Sequence, residues 1–198
     1  MPRQDADQRF MQRVHLPRKV LLFSGHMIDA PGQVKPRFPA NKEAIAAAAI
    51  ARTLEQINAG SNDLAICGGA NGGDLLFAEA SLARQLTLEL YIPFEEEEFI
   101  ADFADARWRS RFFAVKSRAS LHITSDELGV IATDEDPYER NNLRMLDAAM
   151  RFDPNKLDFI CLWNGEGGNG PGGTQHLMQE IQRKGGRTHW LDTTKLWN

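Results

Sequence analysis

Residues 63–92 read DLAICGGANGGDLLFAEASLARQLTLELYI. Asp63–Cys67 is a short apolar run closed by Gly68-Gly69, the pattern of a strand buried on both faces. From Asp74 to Gln85 the apolar residues Leu75, Ala78 and Leu82 recur on one side, at helical spacing. Leu88–Ile92 is again a strand, and Pro93 stops it. Strand, helix and strand within so few residues make a βαβ unit, whose two strands run parallel.

The same alternation extends outward. Lys19–Ser24 (KVLLFS) reads as a doubly buried strand ending at Gly25, followed by a Pro- and Gly-rich loop to Phe38-Pro39. Asn41 to about Ala59 is helical, with Ile50, Leu54 and Ile57 on one face and Gly60 as its stop. Beyond Pro93, Glu95–Glu98 suits a solvated helix N-terminus, where the macrodipole favours acids. Phe99, Phe103, Trp108, Phe112 and Val115 then suggest one or two amphipathic helices. Leu121–Ile123 is a candidate strand and Tyr138–Phe152 a helix, with Leu143, Leu146 and Met150 on one face. Leu157–Trp163, Thr174–Lys184 and Arg187–Leu191 complete the order as strand, helix and strand. The expected fold is α/β: a Rossmann-like, doubly wound, mainly parallel sheet with helices on both faces. The strands near 19–24, 63–67, 88–92 and 157–163 are expected to be parallel neighbours. Residues 1–18 read as an N-terminal arm, and 19–198 as one domain.

With 198 residues, 42% of them hydrophobic, the chain can bury a core without disulfide or metal staples. The net charge of −4 argues against a duplex nucleic-acid binder, which usually carries a basic footprint. Cys67 and Cys161 lie within apolar runs and read as small core residues, with no disulfide framework. The polar, mixed-charge N-terminus lacks the apolar core of a signal peptide, and the longest apolar run, Ala44–Ala51, is too short to span a bilayer. A cytoplasmic protein without membrane partner is the expectation. His15, His122 and His189 show no metal-ligand spacing, and neither metal nor cofactor is expected.

Three loops leave the carboxyl ends of the expected parallel strands: Ser24-Gly25-His26, Cys67–Asp74, and Asn164–Thr174. Ligands of open α/β sheets bind at that edge, near the switch in strand order. GGANGGD (Gly68–Asp74) and NGEGGNGPGGT (Asn164–Thr174) are glycine-dense, and each runs into a helix. Glycine permits positive φ and close approach of an anion to the amides, and the helix N-terminus adds unpaired N–H groups. Such loops either bind phosphate or are tight turns without ligand. Gly68 and Gly73 have P-loop spacing, but Asp74-Leu75 stand where Lys-Ser/Thr would be, so triphosphate–magnesium chemistry is not supported. A bulky residue at Gly73 is expected to fill the phosphate space and spare the fold. His26, Asp29, Arg37, Asp74, Glu79, Arg140, Asn142, Asn164 and Thr174 are the polar residues near this edge. Arg37, in PRFP, could clamp a phosphate or serve as a surface ion pair. Glu79, on an otherwise apolar stretch of helix, could line the cleft.

Five segments taken in order resemble the SLOG superfamily. They are SGHMIDAPG (Ser24–Gly32) with PRFP (Pro36–Pro39), ICGGANGGDLLFAEASL (Ile66–Leu82), LYIPF (Leu90–Phe94), YERNNLRMLDAA (Tyr138–Ala149) and LWNGEGGNGPGGT (Leu162–Thr174). That superfamily joins the LONELY GUY (LOG) phosphoribohydrolases, the lysine decarboxylase-like proteins, the DNA-processing protein A domain and bacterial nucleotide-sensing modules. The resemblance covers most of residues 19–192 and is nearest to the bacterial sensing branch. It implies a nucleotide or nucleotide-derived ligand held by its phosphate, and a homo-dimer or higher oligomer. By motif, Gly68, Gly69, Gly72, Gly73 and Asp74 would form the first phosphate loop, with Gly25 in the loop before it. Gly172, Gly173 and Thr174 would form the second, and Asn142 would match the asparagine opening the preceding helix.

One departure bears on chemistry. The phosphoribohydrolases carry P-G-G-x-G-T-x-x-E, with the glutamate acting at the ribose; here Leu177 stands three residues after Thr174. Glu180 is six beyond, at another height along the helix. A binding, sensing module is therefore the first expectation. The alternative is an N-glycosidase acting on nucleoside 5′-monophosphates, with Asp74, Glu79 or Glu180 as its acid. Single-stranded DNA binding is a third reading, opposed by low basicity and the lack of an aromatic-plus-basic stripe.

Overall fold

The computed structural model describes residues 16–129, 136–167 and 170–198. The six strands are β1 (Val20–Gly25), β2 (Leu64–Cys67), β3 (Thr87–Ile92), β4 (Ser120–Ile123), β5 (Leu157–Trp163) and β6 (Arg187–Asp192). They form one sheet in the order β4-β3-β2-β1-β5-β6, every pairing parallel. The chain builds leftward from β1 to β4, then returns to place β5 on the other side of β1. That return is the switch in strand order, and it leaves a crevice above the carboxyl ends of β1 and β5.

Parallel strands need long crossovers, and here helices supply them: α1 (Glu43–Gln56), α2 (Gly73–Ala83), α3 (Glu96–Ala101), α4 (Ala106–Lys116), α5 (Thr124–Leu128), α6 (Pro137–Met150) and α7 (Thr174–Arg183); the short α8 (Thr193–Leu196) follows the last strand. Alternate residues of each central strand serve opposite faces. Leu21 and Phe23 of β1, with Ala65 and Cys67 of β2, pack toward α1, α2 and α4. Val20 and Leu22, with Phe159 and Cys161 of β5, pack toward α6 and α7. Both thiols are buried and free.

Sequence periodicity locates these elements to within a few residues. The five spaced residues from Phe99 to Val115 are all buried, but not in one helix: Phe99 lies in α3, Trp108, Phe112 and Val115 in α4, and Phe103 in the Asp102–Asp105 break between them, where Asp105 caps α4 by accepting from the Trp108 amide at 3.0 Å. In α6 the buried stripe is Asn141, Met145, Leu146, Ala148 and Ala149, so Leu143 lies at its margin. The short α5 carries too few residues for a periodic signal. Of the expected arm, residues 1–15 lie outside the described residues; Arg18 is tied down by Asp63, whose carboxylate accepts from it at 3.0 and 2.6 Å. No helix among the described residues is long and apolar enough to cross a membrane.

Candidate functional site

The cleft at the strand switch has a volume of about 260 Å³. Ser24, Gly25 and His26 from the end of β1 form its floor with Gly68, Ala70 and Asp74 from the β2–α2 loop. Gly173 and Thr174 enter from the start of α7, and Tyr138, Asn141 and Asn142 from the first turns of α6. Arg37, Phe99, Trp163 and Glu166 also line it. A larger cavity, about 620 Å³, opens at the opposite edge of the sheet near Arg18, Asp63 and Lys156. No glycine loop reaches that cavity, and its buried acid, Asp63, is already saturated by Arg18, Lys19 and Gly60. Size alone would choose it; chemistry favours the smaller cleft.

Helix α7 starts at this cleft without a side-chain cap: Gly173 occupies the cap position in extended conformation. Its first N–H groups and partial positive charge therefore remain available to an anion. The Thr174 and Ser24 hydroxyls lie 3.3 Å apart beside it. The approach of α7 depends on Gly172, at φ +80, where a Cβ would come within 2.9 Å of the Glu139 Cα and closer still to that residue's carbonyl. Asn142 locks this contact by donating its amide to the Gly172 carbonyl at 3.0 Å. Asn142 thus both lines the cleft and holds the second glycine loop against α6.

The first glycine loop behaves differently. Met27 and Gly72 form an isolated antiparallel bridge, Ile28 N–H donates to the Asn71 carbonyl at 2.9 Å, and Gly73 N–H to the His26 carbonyl at 3.1 Å. A Cβ on Gly72 would lie 2.5 Å from the Ile28 nitrogen, and one on Gly73 would lie 3.1 Å from the Phe23 ring. Gly69 turns toward Phe112 and Leu90. These glycines let the loop pack on the β1 exit, so the first amides of α2 are largely spent within the protein. A bulky residue at Gly73 would press on Phe23 and its stacked partner Phe77, not on an empty phosphate space.

Asp29 accepts from the Arg37 and Phe38 amides at 3.0 and 2.9 Å, folding the PRFP turn so that Arg37 borders the cleft. The Arg37 side chain has no ion-pair partner among the described residues. His26 is buried, and its Nε2 accepts from the Asn164 N–H at 3.1 Å. That bond assigns the proton of the neutral ring to Nδ1. Burial, helped by Arg37, lowers its pKa to about 4, so His26 is uncharged at neutral pH. Asn164 itself stays outside the cleft lining and serves to orient His26.

Of the three candidate acids, the structure brings one to the cleft. Glu79 faces α4, where Arg111 donates to it at 2.6 and 2.5 Å while also bonding Glu43. Glu180 lies partly exposed on α7, away from the cleft lining, paired with Arg183 at 2.6 Å. Asp74, only 8% exposed, lines the cleft, and its Oδ1 has no hydrogen-bond partner among the described residues. Burial raises its pKa to about 7, against the pull of the Ala70 and Gly68 amides. Leu177 is fully buried in the core shared by β5, α6 and α7 and does not line the cleft.

Sequence reasoning missed the aromatic side of the cleft: Phe99 reads there as part of an amphipathic helix, Tyr138 as the start of a helix and Trp163 as the end of a strand. It also missed Asn141, which bridges Thr124 and the Tyr91 carbonyl at 2.6 and 2.7 Å. Among the described residues no group of His, Cys, Asp and Glu is arranged to hold a metal. No family model matches the chain and no curated protein matches it, so its relationship rests on architecture alone: a Rossmann-like α/β fold with six parallel strands.

Proposed function

We propose that the cleft binds a nucleotide or nucleotide-derived ligand by its phosphate, and that the protein is a sensor module. The observation that carries this is the uncapped start of α7, opening beside Ser24 and Thr174 at the strand switch. An anion there would be met by backbone N–H groups, two hydroxyls and the helix dipole. Arg37 at the rim adds a bidentate donor. Phe99, Tyr138 and Trp163 offer surface on which a base can stack. The resemblance of the five segments to SLOG proteins supports the same ligand class, and the burial of Leu177 is consistent with binding without hydrolysis.

Calorimetry with AMP, GMP, CMP, UMP and ribose 5-phosphate tests the reading. At least one should bind, and the paired changes Ser24→Ala and Thr174→Val should weaken it roughly tenfold, the worth of one or two hydrogen bonds. No binding by any of them would defeat the proposal.

A second reading, glycosidic cleavage, is kept alive by one observation: Asp74 is a buried carboxyl in the cleft. Chromatography of the same incubations should show no free base above background. Steady release that disappears in Asp74→Asn would replace the sensor with an enzyme.

A further inference from the structure

Asp74 is placed in a way that neither packing nor the α2 cap explains. It is the second residue of α2, where the helix dipole favours an acid by about 0.3–1 kcal/mol, less than one pK unit. Its surroundings work harder in the opposite sense. No Lys, Arg or His pairs with it among the described residues, and a Cβ on Gly68 would sit 3.3 Å from its Oδ2. Below it the Cys67 thiol donates to its backbone carbonyl at 3.8 Å and does not reach the carboxyl. One buried carboxyl oxygen therefore has its hydrogen bond unmade, on a residue that lines the cleft. Leaving such an atom unsatisfied is costly unless something arrives to complete it.

We propose that Asp74 is a specificity residue of the cleft: as a neutral carboxylic acid it donates a hydrogen bond to an acceptor atom of the phosphorylated ligand, and its ionisation expels that ligand. This rests on the reading of the cleft as a nucleotide site. The neutral form fits an anionic guest, because a second negative charge in the same small cleft would repel the phosphate. Ionisation belongs near neutrality because burial has carried the group to about 7.

The other titratable groups around the cleft leave this switch distinct. His26 titrates at about 4 and is neutral throughout the relevant range. Cys67 is pushed well up by burial, and Tyr138 is also raised by burial, so neither ionises near pH 7. Arg37 brings its guanidinium to the rim of the cleft. Glu166, from the loop after β5, lines the cleft as well, and Tyr91, on β3, presents its carbonyl near Gly68 while its hydroxyl bonds Glu89.

The test measures AMP, GMP, CMP, UMP and ribose 5-phosphate binding by calorimetry at about pH 6 and about pH 8.5, for the wild type and for Asp74→Asn. If the ionised form does not bind, wild-type affinity falls about thirtyfold over that interval. The ligand's own second phosphate ionisation, near pH 6, contributes equally to both proteins and is read from the variant. Asp74→Asn keeps a donor and should bind at both pH values with the larger part of that dependence gone. Equal pH dependence in the two proteins overturns the role of Asp74 while leaving the nucleotide site intact. Absence of binding by every compound at both pH values overturns the site, and this inference with it. Should Asp74→Asn fail to fold, a carbon-13 titration of the Asp74 carboxyl in the free wild type decides: a midpoint near 7 supports the proposal, and one near the ordinary aspartate value of about 4 overturns it.

Discussion

Asp74 and Gly172 show how much a single residue's surroundings decide. An aspartate raised to about 7 in the folded state binds a proton that the unfolded chain, near 3.8, has already released. The native state thus holds more protons between these values, and stability falls as pH rises through them. Asp74→Asn should therefore match the wild type near pH 4 and exceed it above pH 7, by an amount on the order of 4 kcal/mol at most. Urea unfolding at the two pH values reads this directly; a variant less stable at both would mean that the carboxylate is favourably placed after all. At Gly172 the positive φ and the approach to Glu139 act together. Gly172→Ala should cost more than about 2 kcal/mol and shift the unfolding midpoint, because backbone cannot yield as a side chain can.

At the scale of elements, charged pairs join neighbours that burial alone would leave free to slide. Arg111 of α4 spans Glu79 of α2 and Glu43 of α1, and its guanidinium lies 4.1 Å from the Trp108 ring centroid. Glu79→Gln should therefore lower stability by about 1 kcal/mol, a modest sum for a partly exposed pair, and leave ligand affinity within about twofold. A large loss of affinity in a folded Glu79→Gln protein would put that side chain back in the cleft. On the opposite flank, Asp158 of β5 is fully buried and accepts from Arg187 at 2.8 Å and from His189 at 2.8 Å, both on β6. Burial alone would raise its carboxyl, but these hydrogen bonds outweigh it and hold the group well below the usual range. A depressed carboxyl stabilises the fold above its unfolded value, near pH 4, and loses that contribution as pH falls further. Asp158→Asn should cost about 2 kcal/mol at pH 7, discounted for the half-exposed Arg187, and should flatten the loss of stability below pH 4. Circular dichroism along an acid titration compares the two.

For the whole molecule, the chain's turn-back after β4 matters most. It sets β5 beside β1 and so brings residues from 24 to 174 around one cleft, with the Ser24–Thr174 contact joining hydroxyls 150 positions apart. The sequence by itself determined the strands and the longer helices, the parallel pairing and the two-sided burial, because short-range periodicity and βαβ chemistry are local properties. It also marked the edge at which the loops gather. It could not separate the two glycine loops, since glycine serves equally to admit a ligand and to let backbone pack on backbone; contacts at Gly72 and Gly73 assign the first loop mainly to packing, while α7 is left open. Nor could it sort the acids. Glu79 and Asp74 lie five residues apart on α2, which turns them to different sides, one toward Arg111 and one toward the cleft. Burial, unpaired oxygens and shifted protonation arise from neighbours distant in sequence, and only the tertiary structure supplies those neighbours.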